Sequence, residues 1–319
     1  MHVDGPDEVA LREAAVQGII QWMKAHYGPE GLSIASSRDY EAWQAATTGE
    51  ARGLGLEFEI LPGYGIRLTE VFPDSPASDV GLQPGEVITA IRGRPVAGRS
   101  AREVLAALDR ADPSAASLTV LGNDGLQREY QLAPKKYRIP NFIVREAGEY
   151  RILRILAFGP GFGQEIQAAV ERAGKPVVLD LRDAGDGLLS EVLKGMGVFL
   201  GESRVVGSLR SGPVREKELR SAPGRATEQR VVLLVDEETH GLGEFFVAAI
   251  RRANPRVRVI GAPTAGEATL PGFIALGDAQ HLRFPAQRLS LEDGSTWERR
   301  GLQPDLLVPG THTSLLPPP

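Results

Sequence analysis

The stretch LLVDEETHGLGEFFVAAI, residues 233–250, constrains the fold more than any other part of the chain. An apolar run, QRVVLLVD, leads into an acidic turn and then into GEFFVAAIRRAN, whose apolar residues recur at helical spacing. A buried strand, a sharp turn and a helix in that order build the elbow that lifts a catalytic nucleophile out of a sheet. Yet no Ser or Cys stands at this turn.

The surrounding sequence predicts an α/β unit. RILRILAF reads as a strand, GFGQEIQAAVERAG as a helix ending in Gly, KPVVLDLR as a buried strand, LLSEVLKGMGVFLG as a helix and VRVIGAP as a further strand. HLRFPAQRLSL reads as hairpin-like, and REKELR at 215–220 as an exposed loop of mixed charge. Residues 52–133 differ in character. Short β-like runs (LEFEI, GIRLTEVF, EVITAIRG, SLTVLG, REYQLA) alternate with Gly/Pro turns, interrupted by one helix, SAREVLAALDRA. Upstream, EVALREAAVQGIIQWMKAH predicts an amphipathic helix with Val9, Ala15, Ile19, Trp22 and Met23 on its apolar stripe. A second short helix near SSRDYEAWQAAT starts from a Ser/Asp cap, with Tyr40 and Trp43 as packing residues. The closing THTSLLPPP is expected to be loose.

Composition narrows the function. The net charge of −5 is spread over interspersed signs with no Lys/Arg stripe, which argues against nucleic acid as a partner. No apolar run approaches the ~20 residues of a membrane helix. With no Cys in the chain, disulfides, thiol catalysis and Cys-type zinc sites are excluded. The start MHVDGPDEVALREA has no apolar signal-peptide region.

Gly53-Leu54-Gly55-Leu56 precedes a β run, and glycines let backbone N–H groups converge on an anion such as a peptide carboxylate. A peptide held there can add as a strand to the neighbouring edge. VFPDSPASDVGLQPGEVITAIRGRPVAG resembles the PDZ domain of bacterial proteases: a Ser-Pro-Ala turn, Gly-Leu-x-Pro-Gly-Glu, then V-I-x-A-I-x-G. PDZ domains bind C-terminal peptides, so the resemblance implies that Gly53, Leu54, Gly55 and Leu56 form the carboxylate loop. The helix at 100–110 is then the other wall of the groove; Ala101, Val104, Leu105 and Leu108 are its apolar residues, with Val104 and Leu108 expected at the peptide and some of the four facing the core.

The order of elements extends the likeness. A helical start, a PDZ unit, a strand–helix–strand ending in LDLR, a Gly-rich turn followed by LL, and a terminal RGLQPDLLV together resemble the carboxyl-terminal processing peptidases. The fold class implied is multidomain α/β: an N-terminal helical segment (1–50), an all-β PDZ domain (51–134) and a ClpP/crotonase-like α/β protease domain (135–311), followed by a loose tail (312–319). The family's chemistry is a Ser–Lys dyad in which a neutral Lys takes the Ser proton and two backbone N–H groups hold the oxyanion. A free Lys pKa of ~10.4 must be lowered by desolvation for this. The family elbow resembles V-N-x-x-S-A-S-A-S-E; here it reads V-D-E-E-T-H-G-L-G-E from Val235 to Glu244, placing Gly241 at the nucleophile position. The family's G-x-x-T-x-G-K-G reads GAPTAGEA, placing Glu267 at the base position. The Gly-rich turn is Asp183-Ala184-Gly185-Asp186-Gly187. The N–H groups of Gly187 and Leu242 are the expected oxyanion donors.

Glycine cannot attack a carbonyl, and a carboxylate beside a developing oxyanion carries the wrong sign. The residues therefore favour a binding protein or regulator without Ser–Lys proteolysis, one that takes protein or peptide C-termini through its PDZ unit. An active protease relative is a possible partner, and a homo-oligomer is open. The alternative is an active endopeptidase using non-standard residues or a partner-supplied group. Thr239 and His240 are the fallback catalytic candidates, with Glu267 as acid. The reading favoured against them makes Thr239 a helix cap and His240 a turn residue. His240, Asp236, Glu237, Glu238 and Glu267 offer hard metal ligands, but the five His residues show no H-x-x-x-H spacing and an acidic turn solvated at the surface is the favoured reading. No metal or cofactor is expected. The resemblance implies an extracytoplasmic location, periplasmic or secreted, with a leader absent from this sequence; a cytoplasmic location stays open as the alternative.

Overall fold

The alternating strands and helices after residue 140 build a six-stranded sheet. Its order is Phe142–Ala147, Tyr150–Ile155, Val177–Asp180, Val231–Val235, Arg258–Gly261, Leu306–Leu307. The first two form an antiparallel hairpin and the remaining neighbours are parallel. Parallel strands covered by helices read as continuous apolar runs, as VVLLV and VVLD do. The structure, a computed structural model, describes residues 7–27, 32–100, 103–104, 107–108, 115–212, 214–276 and 280–308. Ala101 and Leu105 of the expected groove wall and the tail 312–319 lie outside them.

Packing divides the chain into two compact units, Thr48–Pro140 and the combination of Met1–Thr47 with Asn141–Pro319. In the larger unit the helices Phe162–Glu171, Leu189–Leu200 and Gly241–Ala253 bury Phe162, Phe199 and Phe246 completely or nearly so. Phe246 meets Phe162 and Phe199 edge-on at ring distances of 6.1 and 5.8 Å. Burial of each such side chain is worth about 1.5–3 kcal/mol and each aromatic pair about 0.5–1.5 kcal/mol more. This core fixes the helix that carries the elbow.

A second sheet in the same unit runs Ser33–Ser36, Gln280–Leu291, Val205–Ser211, Arg215–Arg220, with Thr269–Ala275 also paired to Gln280–Leu291. HLRFPAQRLSL lies in the long strand Gln280–Leu291, which forms an antiparallel hairpin with Thr269–Ala275. One sequence reading is corrected here. REKELR is an edge strand rather than a loop: it pairs antiparallel with Val205–Ser211 and buries Leu219. Its charges are the usual means of keeping an edge from pairing with other chains. The opening helix Glu8–Tyr27 also differs in its face. Ile20 is buried, with Val16 and Met23 packed beside it against Leu282 and Phe284, whereas Ile19 and Trp22 are 45% and 54% exposed. The seam is 16–20–23, one step round the helix from the expected stripe, because the sheet beneath selects the face. The Val9 side chain is outside the described ones. Tyr40 and Trp43, on helix Ser37–Thr48, pack against Phe273 at ring distances of 5.3 and 4.9 Å, and Tyr40 stacks on His281.

The smaller unit is an antiparallel sheet in the order Leu56–Leu61, Gly65–Val71, Val87–Ile91, Ala116–Leu121, Gln127–Leu132, with Arg94–Pro95 added to Val87–Ile91. Ile66, Leu68, Ile88 and Leu118 fill its core. Ser75 caps the short helix Pro76–Asp79, its hydroxyl accepting the Ser78 N–H at 3.2 Å. Lys135–Arg138, read from sequence as the start of the α/β unit, instead pairs antiparallel with Glu50–Gly53. Both strands belong to the smaller unit.

Candidate functional site

The elbow is built by the turn between strand Val231–Val235 and helix Gly241–Ala253. The Asp236 carboxylate accepts the N–H groups of Glu238 and Thr239, each at 3.1 Å, which bends the chain back on itself. Thr239 is fully buried; its hydroxyl donates to the Leu181 carbonyl at 2.9 Å and accepts the Asp236 N–H at 3.0 Å. It therefore staples the turn to the neighbouring strand end, and its oxygen is not presented to a substrate. It does not cap the helix either: the cap position is His240, whose side chain makes no capping bond.

Gly241 opens the helix at φ +50°, a left-handed conformation that strains any L side chain. Space is not the obstacle, because a Cβ there would meet only Gly185 O at 3.4 Å and Thr269 O at 3.9 Å. The Gly-rich turn docks against the helix start through two hydrogen bonds. His240 N–H donates to Ala184 O at 3.2 Å and Leu242 N–H to Gly185 O at 3.1 Å. Leu242, expected as an oxyanion donor, thus has its N–H on a protein carbonyl. Gly187, the other expected donor, stands opposite Phe158 in a parallel bridge whose hydrogen bonds are made by its neighbours, Phe158 N–H to Asp186 O at 3.0 Å and Leu188 N–H to Phe158 O at 2.8 Å.

Glu267 is positioned through Glu244. The buried Glu244 carboxylate accepts the Thr264 hydroxyl and the N–H groups of Gly266 and Glu267, both at 2.8 Å, and so ties the loop to the elbow helix. Burial pushes its pKa up, and these hydrogen bonds act against that rise. The Glu267 carboxylate pairs with Arg283. His240 completes the centre. Its Nδ1–H donates to Glu238 O at 2.8 Å, and its Nε2 lies 3.8 Å from Asp186 Oδ1. Burial by itself would lower the imidazole pKa. The Asp186 carboxylate, the Glu238 carbonyl and the field of Glu267 outweigh it and raise the value to about 9. At neutral pH the centre is a network of two acids and two cations. Among the described residues no three His, Asp or Glu side chains gather as a metal site.

Arg283 and the Asp186–His240 pair were absent from the sequence reading. Arg283 lies 16 positions from Glu267 on another strand, so no local signal marks it. His240 carried a signal, since it stands where the family elbow quoted above has Ala.

In the smaller unit, Leu54 is buried and its carbonyl accepts the Ala77 N–H at 3.0 Å, while Gly55 O accepts the Phe72 N–H at 2.9 Å. Gly53 pairs with Lys135, and Leu56 begins the edge strand of the sheet. Leu56, Phe58 and Ile60 on that strand, and Leu108, are half-buried against the core of the unit. Val104, expected on the groove wall, is fully buried in the core and offers no surface to a peptide.

A small β unit with a free edge strand, joined in one chain to an α/β unit with a nucleophile-type elbow, defines the class of PDZ-bearing peptidase folds. Comparison agrees: residues 150–308 match peptidase family S41 and residues 67–122 match the PDZ domain. The chain belongs to the PDZ-containing S41 family of carboxyl-terminal processing peptidases. It is 25% identical over 304 residues to a Staphylococcus haemolyticus protein named "Probable CtpA-like serine protease", covering 93% of this chain and 60% of that one. A Staphylococcus aureus protein of the same name is 23% identical over 308 residues, covering 95% and 61%. The chain thus spans about 60% of the length of these curated relatives. A solved structure assigned to the S41 proteases of Bacteroides fragilis shares the fold with a TM-score of 0.60 at 16% identity, covering 87% of this chain and 78% of that one.

Proposed function

We propose that this chain is a non-hydrolytic member of its family, which captures the C-termini of proteins or peptides through its PDZ unit and regulates or presents substrates to an active relative. The observation that carries this reading is the content of the centre. Gly241 has no side chain, and Glu267 is an acid already paired with Arg283. A dyad needs a hydroxyl and a neutral amine in contact. The side chains gathered here supply neither, and the fallback hydroxyl of Thr239 is spent on Leu181 O. The edge strand Leu56–Leu61, preceded by Gly53–Leu56, supports strand addition of a peptide ending in a free carboxylate. By the same family likeness we place its work outside the cytoplasmic membrane. Among the described residues no helix is long and apolar enough to cross one.

The test pairs two assays on the purified chain. Incubation with casein is expected to leave it intact. A fluorescence titration is expected to show saturable binding of apolar peptides with free C-termini and at least tenfold weaker binding of their amidated forms. Casein cleavage that persists through repeated purification sinks the non-hydrolytic reading. Equal affinity for free and amidated peptides sinks the PDZ capture.

A further inference from the structure

We propose that His240 is a lock that holds the centre closed, bridging the Gly-rich turn and the elbow so that the Gly185 carbonyl stays seated on the Leu242 N–H. The ring lies directly over Gly185: a Cβ at that position would stand 2.4–2.5 Å from three ring atoms. Only glycine there lets the imidazole come so close. Three elements converge on the ring. Its own turn contributes the Glu238 carbonyl at 2.8 Å, the Gly-rich turn contributes Asp186 at 3.8 Å from Nε2, and the loop after strand Arg258–Gly261 contributes the field of Glu267. Arg283, reaching in from strand Gln280–Leu291, is held on Glu267. The backbone N–H of His240 itself donates to Ala184 O at 3.2 Å, one residue from the carbonyl that fills the Leu242 position.

The consequence is specific. An N–H at the start of a helix suits an oxyanion or carboxylate. Here that donor is satisfied by the chain itself, so a peptide carbonyl finds it taken. The imidazole is charged at neutral pH, since its pKa is raised to about 9, and the tie to Asp186 is then an ion pair. Restoring a hydroxyl at 241 and an amine at 267 would leave this closure in place, so His240 is a third residue that must change before the site can act on an acyl group.

Two experiments test the lock. The first is hydrogen exchange at the Leu242 amide, which does not depend on the reading of Gly241 and Glu267 as former dyad positions. In His240→Ala the Leu242 amide is expected to exchange at least tenfold faster, with the buried Phe246 amide unchanged. Unchanged protection at Leu242 in a folded variant overturns the lock. Should that variant fail to fold, the wild-type chain gives the answer: Leu242 exchange, corrected for intrinsic base catalysis, should stay level to about pH 8 and rise tenfold across about pH 9. A level profile through pH 10 overturns the lock. The second experiment rests on the proposed function and compares Gly241→Ser/Glu267→Lys with the same pair plus His240→Ala on a fluorogenic peptide. The triple variant is expected to be at least tenfold faster, and equal measurable rates overturn the lock. If neither hydrolyses while Leu242 exchange quickens in the triple variant, the lock stands and the account of what the site lacks is the part that fails.

Discussion

At Gly241 two opposing facts meet: the backbone is left-handed, and the space above it is open. A side chain there would cost of order 1 kcal/mol in backbone strain without a steric clash. Gly241→Ser should therefore lower the urea-unfolding free energy by about 1 kcal/mol and leave the far-UV spectrum unchanged. A loss above about 3 kcal/mol would mean that the open space is not real. His240 gives a pH signature whose sign is fixed by linkage. Its folded pKa of about 9 lies above the ordinary imidazole value of 6.5. The stability it contributes is complete below about pH 6.5, declines as pH rises from there, and is gone above about 9. After screening of a partly exposed pair, this amounts to about 1–2 kcal/mol. Asp186→Asn should flatten that part of the stability–pH curve, and a curve with unchanged slope between pH 7 and 9 would refute the assignment. The residue types at 240, 241 and 267 were legible in sequence, because each stands at a fixed offset from Val235, Glu244 or Thr264. The partners Asp186 and Arg283 come from other turns and strands, so spacing along the chain could not pair them with His240 and Glu267.

At the scale of elements, the elbow, the Gly-rich turn and the 264–267 loop are held together by few groups. Glu244 alone receives three donors from the loop. Glu244→Gln keeps the shape but turns one acceptor into a donor that faces an N–H. It should cost about 1–3 kcal/mol, measured by denaturant titration, with the largest gain in hydrogen exchange at Gly266 and Glu267. In the smaller unit the carboxylate-loop candidate depends on Gly55. Its φ is +76°, and a Cβ would fall 2.0 Å from the Ser75 Cβ. Gly55→Ala should displace the Ser75 cap, lower the thermal midpoint of that unit and weaken capture of C-terminal peptides at least fivefold. Unchanged binding would remove Gly53–Leu56 from the site. The strands and helices around these loops were readable from periodicity, since VVLLV and GEFFVAAIRRAN each bury the residues their pattern marks. REKELR was not, because its alternating charges carry no apolar period and only pairing with Val205–Ser211 makes it a strand. The opening helix shows the same limit: its apolar residues do not form one stripe, so Leu282 and Phe284 chose the 16–20–23 face.

For the whole molecule, the two units have separate cores, one centred on Ile66, Leu68, Ile88 and Leu118 and the other on the phenylalanines around Phe246. Leu118→Ala, which empties a fully buried position, should destabilise the smaller unit by about 2–5 kcal/mol and abolish C-terminal peptide binding. Hydrogen exchange in helix Gly241–Ala253 should stay as it was, and a parallel loss there would show that the units fold as one. The amino-acid sequence by itself determined most of the elements and their order, and that position 241 is a glycine and position 267 an acid. These follow from local period, fixed spacing and side-chain chemistry, which a linear chain displays directly. The tertiary structure decided what surrounds those two positions: a carbonyl on the Leu242 N–H, an imidazole over Gly185 and an arginine on Glu267. Those contacts join residues from separate turns and strands, and their strength depends on distance and burial, which exist only once the chain has folded.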